Sequence, residues 1–174
     1  MEELDLREVF KKEIVCLTKE HRQLLYKVLD SVPSKVWERP ASTRYHSEKD
    51  KAEYGMLNHT KSVVRICNIL SDTYNLNTEE NSILITAAIL HDICKYGKEV
   101  ESPKILTIHP YLAGELIRKL YTGKLEENIE QVTVAVEDHM GRWSTKRPRG
   151  TPLGTLLHTA DMVASNPNVT VEWK

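Results

Sequence analysis

Histidines and aspartates sit on rows of apolar residues in this chain, and that placement limits its fold more than any other feature. His59 shares a stripe with Val63, Ile66 and Leu70, and His91 follows Leu84, Ala87 and Ala88. His139 continues the row Val132, Ala135, Val136, and Asp161 lies one turn beyond Leu157 beside Ala160, Met162 and Val163. Apolar residues recurring at three- and four-residue steps mark the buried face of a helix, so each of these titratable groups points inward. One buried imidazole is ordinary as a satisfied core residue. Ionised Asp92 and Asp161 differ, because burying a carboxylate costs several kcal/mol unless it is paired or binds a metal. A shared divalent ion satisfies all of these groups at once. His59, the adjacent His91-Asp92, His109, His139 and Asp161 are therefore expected to converge as metal ligands. His109 has the weakest spacing, since it precedes Pro110 in an apparent loop and also reads as a solvent-facing residue at a helix start.

Helical periods run through the chain, and no segment alternates as a strand would, so the expected fold is all-α. Apolar steps from Leu6 to Leu29 suit one or two helices, ended by Ser31-Val32-Pro33-Ser34. Arg39 to Lys51 reads as a loop or short helix. Gly55 introduces a helix to about Tyr74, and a second, with Glu79 and Glu80 in its first turn, reaches Cys94. Pro110 suits the first turn of a third helix that stops at Gly123. A fourth runs from about Leu125 to Met140, halted by Gly141, and Pro152 opens a fifth that ends near Asn166-Pro167.

A length of 174 residues suits one compact unit. Its expected parts are an N-terminal helical extension over residues 1–40 and the ligand-bearing domain over 41–174. A net charge of -1 creates no global field for nucleic acid or membrane, so any anion-binding surface must be local. The charged start MEELDLREVFKKE lacks the apolar core of a secretory signal, and no apolar run is long enough to span a bilayer. Cys16, Cys67 and Cys94 form no CxxC pair and read as reduced thiols of a cytoplasmic protein. Cys94 lies near His91 and has a lesser reading as a nucleophile beside its reading as an apolar filler.

The order His59, His91-Asp92, Asp161 on successive helices resembles the HD superfamily of metal-dependent phosphohydrolases. The resemblance rests on GMLNHTKSVVRI around His59, AAILHDICKYG around His91, IHPYLAGELI around His109 and LLHTADMVAS around Asp161. RPASTRYH followed by GMLNHT is most similar to HD domains related to bacterial 3'-5' exoribonucleases. The resemblance implies an HD helical bundle with His59, His91, Asp92 and Asp161 as core metal ligands. It also implies His109 and His139 as the added histidines of two-metal members, with Asp92 bridging the ions. Lys95 matches a lysine that contacts phosphate in members carrying HDxxK. The chain departs from many two-metal members in having Asp138-His139 where they have a His-His pair, so Asp138 reads either as a substitute ligand or as a solvated acid.

Histidines and carboxylates without thiolate favour Mn, Fe, Co, Ni or Mg, with one ion expected and a second compatible with the residues. The expected reaction is hydrolysis of a phosphoester in a nucleotide or short nucleic acid, with the metal activating water and Lys95 neutralising phosphate charge. Lys146, Arg147 and Arg149 form a basic run between His139 and Asp161 and suit phosphate, as does Arg44; each also reads as a solvated surface charge. Tyr45 and Trp143 suit stacking on a base, His46 reads either as a residue of the site mouth or as an exposed one, and His158 suits support of Asp161. No oligomer is indicated. Two other classes fit the same ligands: an HD-fold di-iron oxygenase acting on a small polyol or phosphonate, and a non-catalytic domain with a degenerate site.

Overall fold

A computed structural model describes residues 4–42, 46–121 and 127–171. The N-terminal part contains α1 (Leu6–Val9), α2 (Lys11–Cys16), α3 (Lys19–Ser31), α4 (Lys35–Glu38) and α5 (Glu48–Lys51). The longer helices are α6 (Gly55–Tyr74), α7 (Thr78–Leu90), α8 (His109–Leu120), α9 (Glu127–Asp138) and α10 (Pro152–Ala164), with a 3-10 turn at Gly141–Trp143. Among the described residues there is no strand beyond an isolated bridge between Lys95 and Gly97. The expected all-α architecture is the observed one.

Local chemistry explains the main boundaries. The Asn77 side chain accepts the N–H groups of Glu79 and Glu80 at 2.9 and 3.0 Å, and the Glu80 carboxylate accepts the Asn77 N–H at 3.0 Å. This reciprocal cap starts α7. Thr151 caps α10 through the N–H of Gly154, with Pro152 in the first turn. Asn75 closes α6 in the left-handed conformation, which asparagine tolerates better than most residues.

Two expectations change. The N-terminal region is three helical pieces rather than one or two, because the chain turns at Phe10 and at Leu17-Thr18 to bury Phe10 and Leu17. The Arg22 guanidinium donates to the carbonyls of Leu17 and Val15 there, covering the end of α2. The second core helix stops at Leu90 instead of Cys94, and the chain continues in turns with Lys95 N–H bonded to the Asp92 carbonyl at 2.9 Å. Consecutive side chains of a continuing helix point about 100° apart. Leaving the helix lets His91 and Asp92 face one centre. Gly123 and the expected start of the fourth helix at Leu125 lie outside the described residues.

Helix α7 is the axis of the bundle. Every residue from Ser82 to Leu90 is buried, as an all-round apolar segment requires. Helices α6, α9 and α10 pack around it, α8 lies on α9, and α3 crosses α7 and α8. Phe10, Leu24, Leu25 and Val28 of the N-terminal helices belong to the same apolar cluster as Leu84, Ala88, Ile117, Val132 and Leu157. Phe10→Ala is expected to remove about 3–5 kcal/mol of stability. Thermal or denaturant unfolding followed by circular dichroism checks this, and a loss below about 1 kcal/mol would mean that Phe10 does not anchor the N-terminal helices.

Candidate metal centre

All six expected ligands meet at the ends of the core helices. His59 is on the second turn of α6, and His91 and Asp92 directly follow the end of α7. His109 is the first residue of α8 rather than a loop residue, His139 directly follows α9, and Asp161 lies within α10. Each is buried, Asp161 being the most exposed at 8%.

Asp92 stands at the centre. Its Oδ1 lies 2.9 Å from His109 Nε2 and 3.5 Å from His139 Nε2. Its Oδ2 lies 3.4 Å from His91 Nε2, 3.8 Å from His59 Nε2 and 2.5 Å from Lys95 Nζ. His59 Nε2 is 3.0 Å from Asp161 Oδ1. The Nε2 atoms of His59 and His91 face each other at 3.3 Å, and so do those of His109 and His139. Two half-sites therefore share one carboxylate, one with His59, His91 and Asp161, the other with His109 and His139.

The other ring nitrogens explain why Nε2 points at the centre. His91 Nδ1 lies 2.8 Å from the carbonyl of Ala88, His109 Nδ1 2.6 Å from that of Leu106, and His139 Nδ1 2.7 Å from that of Val136. A carbonyl only accepts, so each Nδ1 carries the proton and each Nε2 of the neutral ring presents a lone pair. Ala88 and Val136 sit in the last turns of their helices, where carbonyls have no helical partner. Facing Nε2 lone pairs repel unless a proton or a cation lies between them, and Asp92 Oδ1, buried, has no hydrogen-bond partner of good geometry. The donor set fits a divalent cation, which these nitrogens and the oxygens of Asp92 and Asp161 would hold.

The electrostatics agree with that reading. Without a cation, protons on Nε2 take its place: burial works against ionised Asp92, yet Lys95 and the imidazoles that then donate to it outweigh burial and hold the carboxyl well below its usual range. Asp161 is likewise held down against burial, chiefly by its bond to His59. Burial pulls His91 down, but the charge of Asp92 overrides it and the net shift is upward. Burial lowers His139. Both carboxylates are thus anionic at neutral pH.

A cavity of about 680 Å³ opens onto the cluster, and Asp92, Lys95, His109, Asp161 and His46 line it. Ile105, Met140, Trp143 and Met162 supply apolar wall. The basic run does not join this lining. Lys146 lies over the Tyr111 ring with Nζ 4.2 Å from its centre, Arg147 is exposed, and Arg149 pairs with Glu137 at 2.5 Å and Asp138 at 3.4 Å. Arg44 and Tyr45 lie outside the described residues. Asp138 is neither a substitute ligand nor a solvated acid: it is buried, and its Oδ2 accepts the Arg149 N–H at 2.7 Å. His158 supports His139 rather than Asp161, with its Nδ1 2.6 Å from the His139 carbonyl. Its ring occupies the space that a side chain at Gly141 would need, and Gly141 itself has a φ of +52°. Burial pushes the Cys94 thiol up to about 12, so it stays protonated and the nucleophile reading falls away.

Two buried groups beside the cluster had little sequence signal. His46 lies with its ring 4.7 Å from that of His59, and burial, reinforced by His59 and Lys95, pushes it down to about 3. Asp50 is fully buried, although SEKDK reads as a solvated charge run.

Metal uptake needs neutral imidazoles. Because His91 is shifted upward, its proton competes with a cation up to a higher pH than an ordinary imidazole's would. Affinity for Co(II) or Ni(II), titrated across about pH 5 to 8, is therefore expected to fall as pH drops through that raised value and to level off above it. A flat profile would contradict the assignment of His91. Asp138→Ala is expected to leave metal content unchanged in elemental analysis while exposing the 144–150 segment to limited proteolysis; loss of metal would return Asp138 to the ligand set.

Comparison with known proteins agrees with the geometry. No curated protein and no solved structure matches the chain. The HD domain family profile matches residues 56–166, which run from the start of α6 past the end of α10 and contain all six expected ligands. The chain belongs to the HD domain family.

Proposed function

We propose that the protein is a metal-dependent phosphohydrolase that cleaves a phosphoester of a nucleotide or short nucleic acid. The observation that carries this reading is the Asp92 carboxylate, shared between two sets of imidazole nitrogens and paired with Lys95 at the floor of an open cavity. A divalent cation held there supplies Lewis-acid polarisation of a phosphoryl oxygen and lowers the pKa of water.

The chain's own groups do the remaining work. Lys95 Nζ, buried against Asp92 Oδ2, presents its other N–H donors toward the cavity and stabilises negative charge as it builds on a phosphoryl oxygen. Asp92 and Asp161 hold no proton at neutral pH and so remain acceptors. Trp143, Met140 and Met162 give a flat organic group an apolar surface to rest on. Exposed Lys146 and Arg147, together with Arg44, are the proposed phosphate contacts of a longer substrate, whereas Arg149 is committed to Glu137 and Asp138. The finer likeness to HD domains related to bacterial 3'-5' exoribonucleases rests on the RPASTRYH and GMLNHT residues alone.

A panel of phosphomonoesters, phosphodiesters, nucleotides and short RNA, run with Mn, Fe, Co, Ni and Mg, tests the activity. Asp92→Ala is expected to abolish metal loading and turnover together. Lys95→Ala is expected to retain metal and to lower kcat by roughly 10²–10³-fold. Full turnover by the Asp92 variant in metal-stripped buffer would overturn the mechanism. The complete set of six ligands also suits a di-iron oxygenase, and phosphoester turnover under anaerobic conditions excludes it.

A further inference from the structure

His59 breaks the rule that the other three ligating histidines obey. Their Nδ1 atoms each meet a backbone carbonyl, but His59 Nδ1 is buried and has no partner. The reason is its place in the chain. His59 lies inside α6, where the neighbouring carbonyls are taken by helical N–H groups, so the free last-turn carbonyls that serve His91 and His139 are out of reach. Its proton needs an acceptor from another element.

Asp50 of α5 offers an unpartnered carboxylate oxygen nearby, more than a direct hydrogen bond but no more than one water away from the ring. It is fully buried, its Oδ1 has no partner, and its Oδ2 accepts the Ser47 hydroxyl at 2.9 Å. A carboxylate oxygen of Asp50, a ring nitrogen of His59 and a ring nitrogen of His46 lie within 4.8 Å of one another. His46 Nδ1, also without a hydrogen-bond partner, is 3.8 Å from Asp50 Oδ2. The backbone holds Asp50 in place from two sides. Its carbonyl accepts the Ala41 N–H at 2.7 Å, and a Cβ added to Gly55, the first residue of the helix that carries His59, would stand 2.1 Å from that carbonyl oxygen. Only glycine permits this approach, which brings α5 against the start of α6 one turn before His59.

The geometry points to Asp50 as the positioning residue of His59. Its carboxylate accepts the Nδ1–H through one bridging water, fixes the ring in the tautomer whose Nε2 faces Asp161 and Asp92, and makes that nitrogen a stronger donor to a cation. The same carboxylate steadies His46 in the cavity wall. The assignment rests on the cluster being a metal centre and is independent of the substrate.

Co(II) titration of the full chain, followed through the visible absorption of the bound ion, tests it without any turnover. Asp50→Asn is expected to weaken Co(II) binding on the order of 10–100-fold and to shift the visible band, while His46→Ala leaves affinity within about twofold. Unchanged affinity and an unchanged band in a folded Asp50→Asn protein would overturn the proposal. Loss of one equivalent of Co(II) in His46→Ala would overturn it too, by making His46, Asp50 and His59 a metal site of their own. If Asp50→Asn does not fold, NMR of the Zn-loaded wild-type chain decides: a His59 Nδ1–H shifted downfield as in a bond toward a carboxylate supports the assignment, and an Nδ1–H that exchanges freely with solvent refutes it. None of these readouts depends on phosphoester hydrolysis, so a missing activity and a wrong role for Asp50 are told apart.

Discussion

The carboxylate of Asp92 is the point on which the centre depends. A buried anion in a helical core costs several kcal/mol, and here that cost is met by Lys95 on one oxygen and by imidazoles on both. Because the two oxygens face different histidine sets, one side chain joins four core elements: α6 through His59, α7 through its own strand of turns, α8 through His109 and α9 through His139. Packing alone would hold these helices together, but it would not require their ends to meet at one place.

Helix ends are what make the meeting feasible. The last-turn carbonyls of α7 and α9 have no helical N–H to accept, and histidines placed three residues later donate Nδ1–H to them. One contact thereby satisfies an orphan carbonyl, fixes a tautomer and aims Nε2 inward. The early end of α7 at Leu90 serves the same purpose, since it frees Asp92 to face the site beside His91. His59, inside a helix, has no such carbonyl, and the carboxylate proposed to support it comes from α5.

Much of this was legible in the sequence. Apolar periods located α6, α8 and α10 closely, because a helix face is encoded by residues three and four apart. That the six residues would be buried together was legible because burying their polar groups separately has no cheap solution. The end of α7 was not legible, since ILITAAIL continues smoothly into HDIC with no glycine or proline to stop it. Nor was the fate of Asp138, whose partner Arg149 is separated from it by a loop that folds back.

The sequence by itself determined that the chain is helical, which residues can hold a cation, and that His59, His91, His139 and Asp161 lie on inward faces, because each of these follows from local spacing and side-chain chemistry. The tertiary structure alone decided how they divide: Asp92 between two half-sites, Asp138 turned to Arg149, the basic run apart from the cavity lining, and Asp50 buried beside His59. These are contacts between segments far apart in the chain. They depend on how α5 seats against Gly55 and how the helix ends converge on one another, and no periodicity within one segment records that.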